Sequence, residues 1–454
     1  MAEIRTLLIA DRGEIARRII RTARKMGLRT AVIYAEPDRD APYLREADLA
    51  IPLAGSSVSA SYRDQAQILT IAKQVKAEAI HPSYGPLAEN AEFARACLRA
   101  KYVWIGPPPD VLEKMGHKLA AKEFARKIGL PVVPGLAIPG ADSAVWRRMA
   151  DQAGYPLLLK TNAGGGGKGI RHVETPSDLI PAVLELQHST SSATGDTTIF
   201  LERCLPAPRH IEVQILADAH NNLIHLYERD CSIQRNYQKV IEEAPALHIA
   251  SELRERIRAA SIALVRSLGY IGVGTVEYLV DGERFFFLEM NPRLQMEHPI
   301  TECITGLDLV QLQLQVAQGQ PLPLQQYELP CSGHALEARL YAEDPGAGFR
   351  RTSGRLHCFE PGLIPGIRYE TGVASGQMIT HYALLAKVIA HAPTRPEAIH
   401  NLAQALHEFR LSGVITNRAF LRATLTHPDF LAAKTHTEFI YQHPELLHAT
   451  DIAP

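Results

Sequence analysis

Cysteine is scarce and scattered. Cys97, Cys204, Cys231, Cys303, Cys331 and Cys358 are the six in 454 residues, and no two form a CxxC pair. That spacing excludes a structural zinc site and a disulfide framework, and it predicts reduced thiols of the kind kept in the cytoplasm. The 19 histidines do not alter this, since none stands in a tight, ligand-spaced group with cysteine. Net charge is nearly absent too, at −1 with a pI near 7.0, so neither nucleic acid nor a membrane surface is an expected partner. No apolar run approaches the roughly 18 residues of a membrane span. The first one, Leu7 to Ala10, meets Asp11 and Arg12 at once and is neither a signal peptide nor a spanning helix. No repeat with a period of about 20 to 50 residues is visible. Only Ser189 to Thr198 looks like a mobile, low-complexity loop.

What is present is an ordinary globular composition, 46% hydrophobic and 21% charged, in a chain long enough for about two to four domains or lobes. The first part alternates strands and helices: Thr6 to Ala10, a helix from Glu14 to Met26, Thr30 to Ala35, a helix near Asp64 to Val75, Glu78 to His81 and Val103 to Gly106. This predicts an α/β domain with a parallel sheet. The turn Ala10-Asp-Arg-Gly-Glu14 has one glycine where a dinucleotide fingerprint has three, and it reads as a structural βα turn. Gly106-Pro-Pro-Pro109 and Leu130-Pro-Val-Val-Pro-Gly135 mark lobe hinges.

After the apolar strand Leu157 to Lys160 comes Thr161-Asn-Ala-Gly-Gly-Gly-Gly-Lys-Gly169, and then the strand-like Ile170 to Val173. A phosphate-binding P-loop would end in GK[ST] and enter a helix, so this is a strand, glycine loop, strand flap. Glycine loses the most backbone freedom on folding, so four in succession imply close backbone approach to a ligand, with N–H groups and Lys160 and Lys168 facing phosphates. A flexible linker is the plain alternative, although linkers are rarely pinned between apolar strands.

The densest chemistry lies in Glu289-Met-Asn-Pro-Arg-Leu-Gln-Met-Glu297. Gly274 to Val280 and Phe285 to Met290 have strand character, with Asp281-Gly282 as a hairpin signal. Glu277, Glu289 and Asn291 share a face only if the loop has an odd length or a bulge intervenes; a two-residue loop alone puts Glu277 on the opposite face. Two carboxylates and an amide together suit Mg²⁺ beside nucleotide phosphates. A solvated sheet face is the competing explanation. Fully extended, Glu289 to Glu297 would span roughly 26 Å, too long for one small site. Pro292 therefore predicts a strand end, with the loop curling back to bring Arg293, Gln295 and Glu297 to a small oxyanion.

These features in this order resemble an ATP-grasp enzyme. His81-Pro-Ser-Tyr-Gly-Pro-Leu-Ala-Glu-Asn90, Pro208-Arg-His210, Glu228-Arg-Asp-Cys-Ser-Ile-Gln-Arg235, Gln238-Lys-Val-Ile-Glu-Glu-Ala-Pro245 and Met290 through Pro299 narrow the resemblance to biotin carboxylase, over nearly the whole chain. The resemblance implies a mixed α/β and α+β ATP-grasp fold. Its parts would be an N-terminal α/β domain at 1–115, an ATP-grasp domain at 116–325 with a mobile flap lobe near 132–204, and a C-terminal lobe at 331–445. It also implies ATP- and bicarbonate-dependent carboxylation of biotin on a carrier protein, through carboxyphosphate. Lys118, Lys160, Gly164, Gly165, Gly166, Gly167, Glu202, Arg203, Leu205, His210, Gln234 and Leu279 match nucleotide positions. Glu277, Glu289 and Asn291 match ligands for Mg²⁺ or Mn²⁺. Lys239, Arg293, Gln295 and Met296 match the bicarbonate pocket, with Glu297 as base, and Arg339 and Tyr84 match positions near biotin. A homodimer is implied as well. No Met-Lys-Met segment follows the C-terminal lobe, so carrier and carboxyltransferase are expected on separate chains.

The sequence departs from the family where biotin would lie. Tyr382-Ala-Leu-Leu-Ala-Lys387 lacks an aspartate and one residue of the family's segment, and Ser83, Pro86, Asp11, His117, Ala163 and Tyr237 replace usual residues. An altered acceptor is one consequence to test. Two rival readings remain: another ATP-grasp carboxylate ligase, and an impaired subunit that scaffolds a carboxylase.

Overall fold

The computed structural model describes residues 3–55, 58–138, 142–162, 169–191 and 198–450. The flap glycines Gly164, Gly165, Gly166 and Gly167, with Lys168, lie outside these, as do residues 192–197 of the segment read as a mobile loop. Residues 189–191 of that segment instead end the helix Leu179–Ser191.

Five parallel strands form the N-terminal sheet, in the order Leu49–Pro52, Arg29–Tyr34, Thr6–Ile9, Ala79–His81 and Val103–Trp104. Thr6–Ile9 is buried at every residue because helices cover both faces, as a parallel sheet requires. The helix Gly13–Lys25 follows it directly and buries Ile15, Ile19, Ile20 and Ala23. The strand Leu49–Pro52 has an exposed alternate face, which explains why no apolar run announces it.

The flap lobe is a four-stranded antiparallel sheet in the order Gly135–Ile138, Ile199–Arg203, Leu157–Thr161 and Ile170–Val173. One face packs Leu157, Leu159, Val173, Ile199 and Leu201 against Trp146, Val183 and Leu186 of the covering helices. The opposite face, by alternation, looks away from that core.

An eight-stranded antiparallel sheet organises the remainder: Arg284–Asn291, Gly272–Asp281, Arg209–Ala217, Leu223–Arg235, Gln238–Ala244, His334–Tyr341, Leu384–Ala392 and Ile367–Thr371. The pairing of Gln238–Ala244 with His334–Tyr341 carries this sheet from the strands Arg209 to Asn291 into the segment beyond residue 331, so the two share one hydrogen-bonded surface. Pairing there leaves no open edge between them. Beyond the sheet, the helices Arg395–Glu408 and Arg418–Thr426 are separated by a strand, Arg410–Ser412, which pairs with Cys358–Glu360. The segment read as a hinge at Leu130 to Gly135 is pinned: Phe287 N donates to Pro131 O at 2.7 Å, and Val132 bridges Phe287.

Candidate active site

The hairpin settles the parity question through a bulge. Asp281 faces Arg284, so the loop holds two residues, and Tyr278 faces Phe287. The register then shifts, Leu288 stands unpaired, and Glu277 faces Glu289. One extra residue returns Glu277 to the face of Glu289 and Asn291.

The strand ends at Asn291, ahead of Pro292, and the loop curls back as expected. Gln295 Nε2 donates to Glu277 Oε1 at 2.8 Å, and Arg293 donates to Asn291 Oδ1 at 2.9 Å and to Gln295 Oε1 at 2.8 Å. Glu297 lies just before the helix His298–Thr305 and is 1% exposed. Lys239, from the strand Gln238–Ala244, donates to three carboxylates: Glu212 at 2.5 Å, Glu297 at 2.6 Å and Glu277 at 2.8 Å. Arg339 lies 3.0 Å from the other oxygen of Glu297 and also pairs with Glu242. Burial alone would raise the Glu297 pKa, but Lys239, Arg339 and Arg229 hold it well below the usual carboxylate range. The group is therefore an ionised base between two cations, beside the amide of Gln295 and the guanidinium of Arg293.

Glu212 and Arg229 were not legible as site residues. Both are fully buried beneath Lys239, with Arg229 Nε 2.5 Å from Glu212 Oε1. They carry ordinary strand positions in sequence, and only the register stacks them under the site. Cys231 lies within a close group with Glu212 and Glu297. Burial and those carboxylates push its thiol pKa well up, so it remains an inert thiol.

The three residues expected to hold a metal have the chemistry of a hard-cation site. Asn291 Nδ2 donates to Glu277 Oε1 at 2.7 Å, while its carbonyl oxygen accepts from Arg293 and has a second lone pair for a cation. The Glu289 carboxylate, directly across from Glu277, has no side-chain hydrogen bond or ion pair among the described residues. Oxygen donors from Glu277, Glu289 and Asn291 form the set that Mg²⁺ or Mn²⁺ prefers.

On the flap side, Lys160 Nζ lies 2.6 Å from Glu202 Oε2, and Lys122 binds the other oxygen. Burial and the neighbouring Lys118 pull the Lys160 pKa down to about 8. His210 Nε2 lies 2.8 Å from Glu277 Oε2, and Gln234 Nε2 lies 2.6 Å from His210 Nδ1. His210 thus belongs to the polar network, while His298, buried with Nδ1 on Gln295 O at 2.7 Å, braces the loop.

At the opposite end, the Asp11 to Glu14 turn read as purely structural lines the cavity wall. Glu14 accepts from Tyr84 Oη and sits 3.3 Å from Lys387, whose Nζ also donates to Met296 O at 2.8 Å. Lys387 is completely buried, so the Tyr382 to Lys387 segment delivers its lysine to the loop bearing Met296. The Arg12 guanidinium pairs with Asp38 and lies 3.5 Å from the centroid of the Tyr382 ring. A single-glycine turn gave no signal for this, because the partners come from residues 26 to 370 positions away.

All described site candidates line one cavity of about 650 Å³: Lys118, Lys160, Glu202, Arg203, Leu205, His210, Gln234, Lys239, Glu277, Leu279, Glu289, Asn291, Arg293, Gln295, Met296, Glu297, Arg339 and Tyr84. A flap sheet and an antiparallel sheet enclosing lysines and a carboxylate pair define an ATP-grasp enzyme. Family models agree in three consecutive segments: the biotin carboxylase N-terminal domain at residues 3–112, the carbamoyl-phosphate synthase L chain ATP-binding domain at 117–325, and the biotin carboxylase C-terminal domain at 337–442. The sequence is 46% identical to biotin carboxylase of Halalkalibacterium halodurans, over 96% of this chain and 97% of that one. It is 42% identical to the methylcrotonoyl-CoA carboxylase alpha subunit of Arabidopsis thaliana, over 99% of this chain but only 62% of that subunit. The biotin carboxylase domain of Hydrogenobacter thermophilus 2-oxoglutarate carboxylase, solved as a dimer with MgADP, ADP and bicarbonate, superposes with a TM-score of 0.95 at 38% identity, covering 98% of both chains. Campylobacter jejuni biotin carboxylase gives 0.93 at 37% identity, covering 97% of this chain and 99% of that one. The chain belongs to the biotin carboxylase family.

Proposed function

We propose that this chain uses ATP and bicarbonate to carboxylate the biotin of a separate carrier protein. The observation that carries the reading is Glu297, held ionised between Lys239 and Arg339 in the cavity that also holds the lysine-lined flap. Glu297 removes the bicarbonate proton while Lys239, Arg293 and Gln295 fix the anion for attack on the γ-phosphorus. The attack forms a bond from a bicarbonate oxygen to phosphorus and releases ADP, giving carboxyphosphate. Its breakdown yields CO₂ and phosphate, which takes the N1 proton of biotin. N1 then attacks CO₂, and Arg339 stabilises the ureido oxyanion formed on the way.

Lys118, Lys160 and the flap glycines Gly164 to Gly167 position the phosphates. Glu202, Arg203, Leu205, His210, Gln234 and Leu279 hold the nucleoside. Met296 shapes the anion pocket and Tyr84 the biotin end. Glu277, Glu289 and Asn291 would hold Mg²⁺ or Mn²⁺, which when bound would supply positive charge against the negative charge of the phosphates. We further propose a homodimer, by likeness to the Hydrogenobacter dimer, a cytoplasmic location, and a carboxyltransferase on another chain. No helix among the described residues is long and apolar enough to cross a membrane.

The test is phosphate release from Mg-ATP with and without bicarbonate and free biotin, on the parent and Glu297→Gln. Release that rises with both substrates and collapses in the variant supports the reading; release indifferent to bicarbonate overturns it.

A further inference from the structure

Outside the cavity, the C-terminal lobe gathers a second set of ligating side chains. His427 precedes the short helix Pro428–Leu431, His443 ends the helix Phe439–Gln442, and Glu445 belongs to the turn Pro444–His448 that follows. One ligand atom from each of His427, His443 and Glu445 lies within 4.8 Å of the other two. Phe439, fully buried, gathers the rings: its centroid lies 5.6 Å from that of His427 and 4.6 Å from that of His443, and the two imidazoles stand 4.1 Å apart. The set contains no cysteine, and two short helices separate its members in sequence. The exclusion drawn from cysteine spacing therefore does not reach it.

Glu445 Oε1 lies 3.5 Å from His427 Nε2 and 3.3 Å from His443 Nδ1. Charge-assisted hydrogen bonds run about 2.7–2.9 Å, so both separations are long for ion pairs. Ligand atoms held roughly 2.0–2.2 Å from a tetrahedral ion stand about 3.3–3.6 Å from one another, which is the spacing found. His443 has its far nitrogen, Nε2, 3.5 Å from Asp429 Oδ2, a carboxylate placed to hold the proton there and turn Nδ1 towards the ion. The other Asp429 oxygen is 3.3 Å from Lys434 Nζ. On His427, the Asp429 N–H donates to Nδ1 at 3.3 Å, which puts the single proton of the neutral ring on Nε2. An ion at Nε2 moves that proton to Nδ1 and displaces this long contact. The imidazoles are 17% and 19% exposed while Glu445 is 62% exposed, so an ion has a way in from solvent and a water can complete its shell.

We propose that His427, His443 and Glu445 bind one divalent transition-metal ion, of which Zn²⁺ suits the tetrahedral spacing best. Two imidazoles and a carboxylate disfavour Mg²⁺, which prefers oxygen ligands, so this set and Glu277, Glu289 and Asn291 select different ions. The ion fastens the turn Pro444–His448 to the helix Pro428–Leu431 across Phe439. The helix Phe439–Gln442 between them follows directly on Thr437 and Glu438, which line the cavity, and Thr437 N donates to Pro208 O at 2.9 Å. The clasp thus braces one wall of the cavity from outside.

The experiment titrates Zn²⁺ alone into the untagged, chelator-treated full chain by calorimetry, with Mg²⁺ in excess, for the parent, His427→Asn, His443→Ala and Glu445→Gln. His427→Asn keeps an acceptor for the Asp429 N–H, and Glu445→Gln alters an exposed side chain, so these two serve where His443→Ala folds poorly; urea unfolding without zinc identifies the folded variants. The parent is expected to bind one Zn²⁺ per chain that each folded variant binds at least about tenfold more weakly. Co²⁺ in its place should give the parent the intense visible absorption of a four-coordinate ion, and the variants should lack it. Weakening short of tenfold in a folded variant, or no zinc bound by the parent, overturns the proposal. The outcome is independent of the carboxylase reading, because any zinc taken by the cavity residues is common to parent and variants.

Discussion

The two ends of the cavity are built differently. At the anion end each cation has several defined partners: Lys239 holds three carboxylates, and Arg293 spans Asn291, Gln295 and Glu89. At the acceptor end the polar groups are buried but only partly used. Asp11 accepts from Arg12 N at 2.8 Å through one oxygen, while its other oxygen and the Ser83 hydroxyl have no hydrogen-bond partner among the described residues. Burial pushes the Asp11 pKa up to about 7. The difference fits the two ligands. A small, fixed oxyanion rewards a rigid receptor whose cations are held by several carboxylates and amides, whereas an acceptor arriving on another protein requires a mouth with exposed surface, such as the Tyr382 ring, 40% exposed.

The contrast can be broken most strongly at Glu297. Glu297→Gln should reduce bicarbonate-dependent phosphate release by about 10²- to 10⁴-fold, measured at saturating ATP; a small loss would mean that the anion end has no single base. Lys239→Met comes next. It strands Glu212, Glu277 and Glu297, so urea unfolding should show a loss of roughly 3–5 kcal/mol at pH 8. The loss should shrink at pH 5, where the stranded carboxylates take up protons, and equal losses at both pH values would show that they were never coupled through the lysine.

Asp11→Asn should have the opposite sign. A carboxyl whose pKa rises from 3.8 to about 7 on folding keeps a proton that the unfolded chain releases, so the parent loses stability as pH climbs between those values. The variant has no such dependence and should gain up to about 3–4 kcal/mol over the parent by pH 8, with almost no gain at pH 4. Smallest is Tyr382→Ala, which removes the ring over Arg12 and about 1 kcal/mol of cation–π contact. It should raise KM for biotin several-fold while bicarbonate-dependent ATP use without biotin stays constant. If both fall together, the two ends are not separable.

Much of this arrangement was legible because it is written in local sequence. The strand, glycine, strand order around Gly164 predicted a flap instead of a P-loop, and Leu157–Thr161 does pair with Ile170–Val173. Pro292 predicted the turn that returns Gln295 to Glu277. Lys122 was not legible as a cavity residue. A lysine on a helix is usually solvated, and only the approach of the flap sheet buries it against Glu202. The Asp11 to Glu14 turn escaped for a related reason: its chemistry comes from Lys387 and Tyr382 of the C-terminal lobe, which sequence distance conceals.

The sequence alone determined the inventory of the site and its local geometry: which carboxylates, amides and cations exist, their alternate spacing, and where strands must stop. Tertiary structure decided which of them meet. The parity of Glu277 was set by the unpaired Leu288, a bulge whose position depends on neighbouring strands and not on the hairpin's own residues. The ionisation of Glu297 likewise depends on Lys239, Arg229 and Arg339, which three other strands deliver from 42 to 68 residues away. Charge acts through space, so the state of a buried base is fixed only when the fold has placed its neighbours.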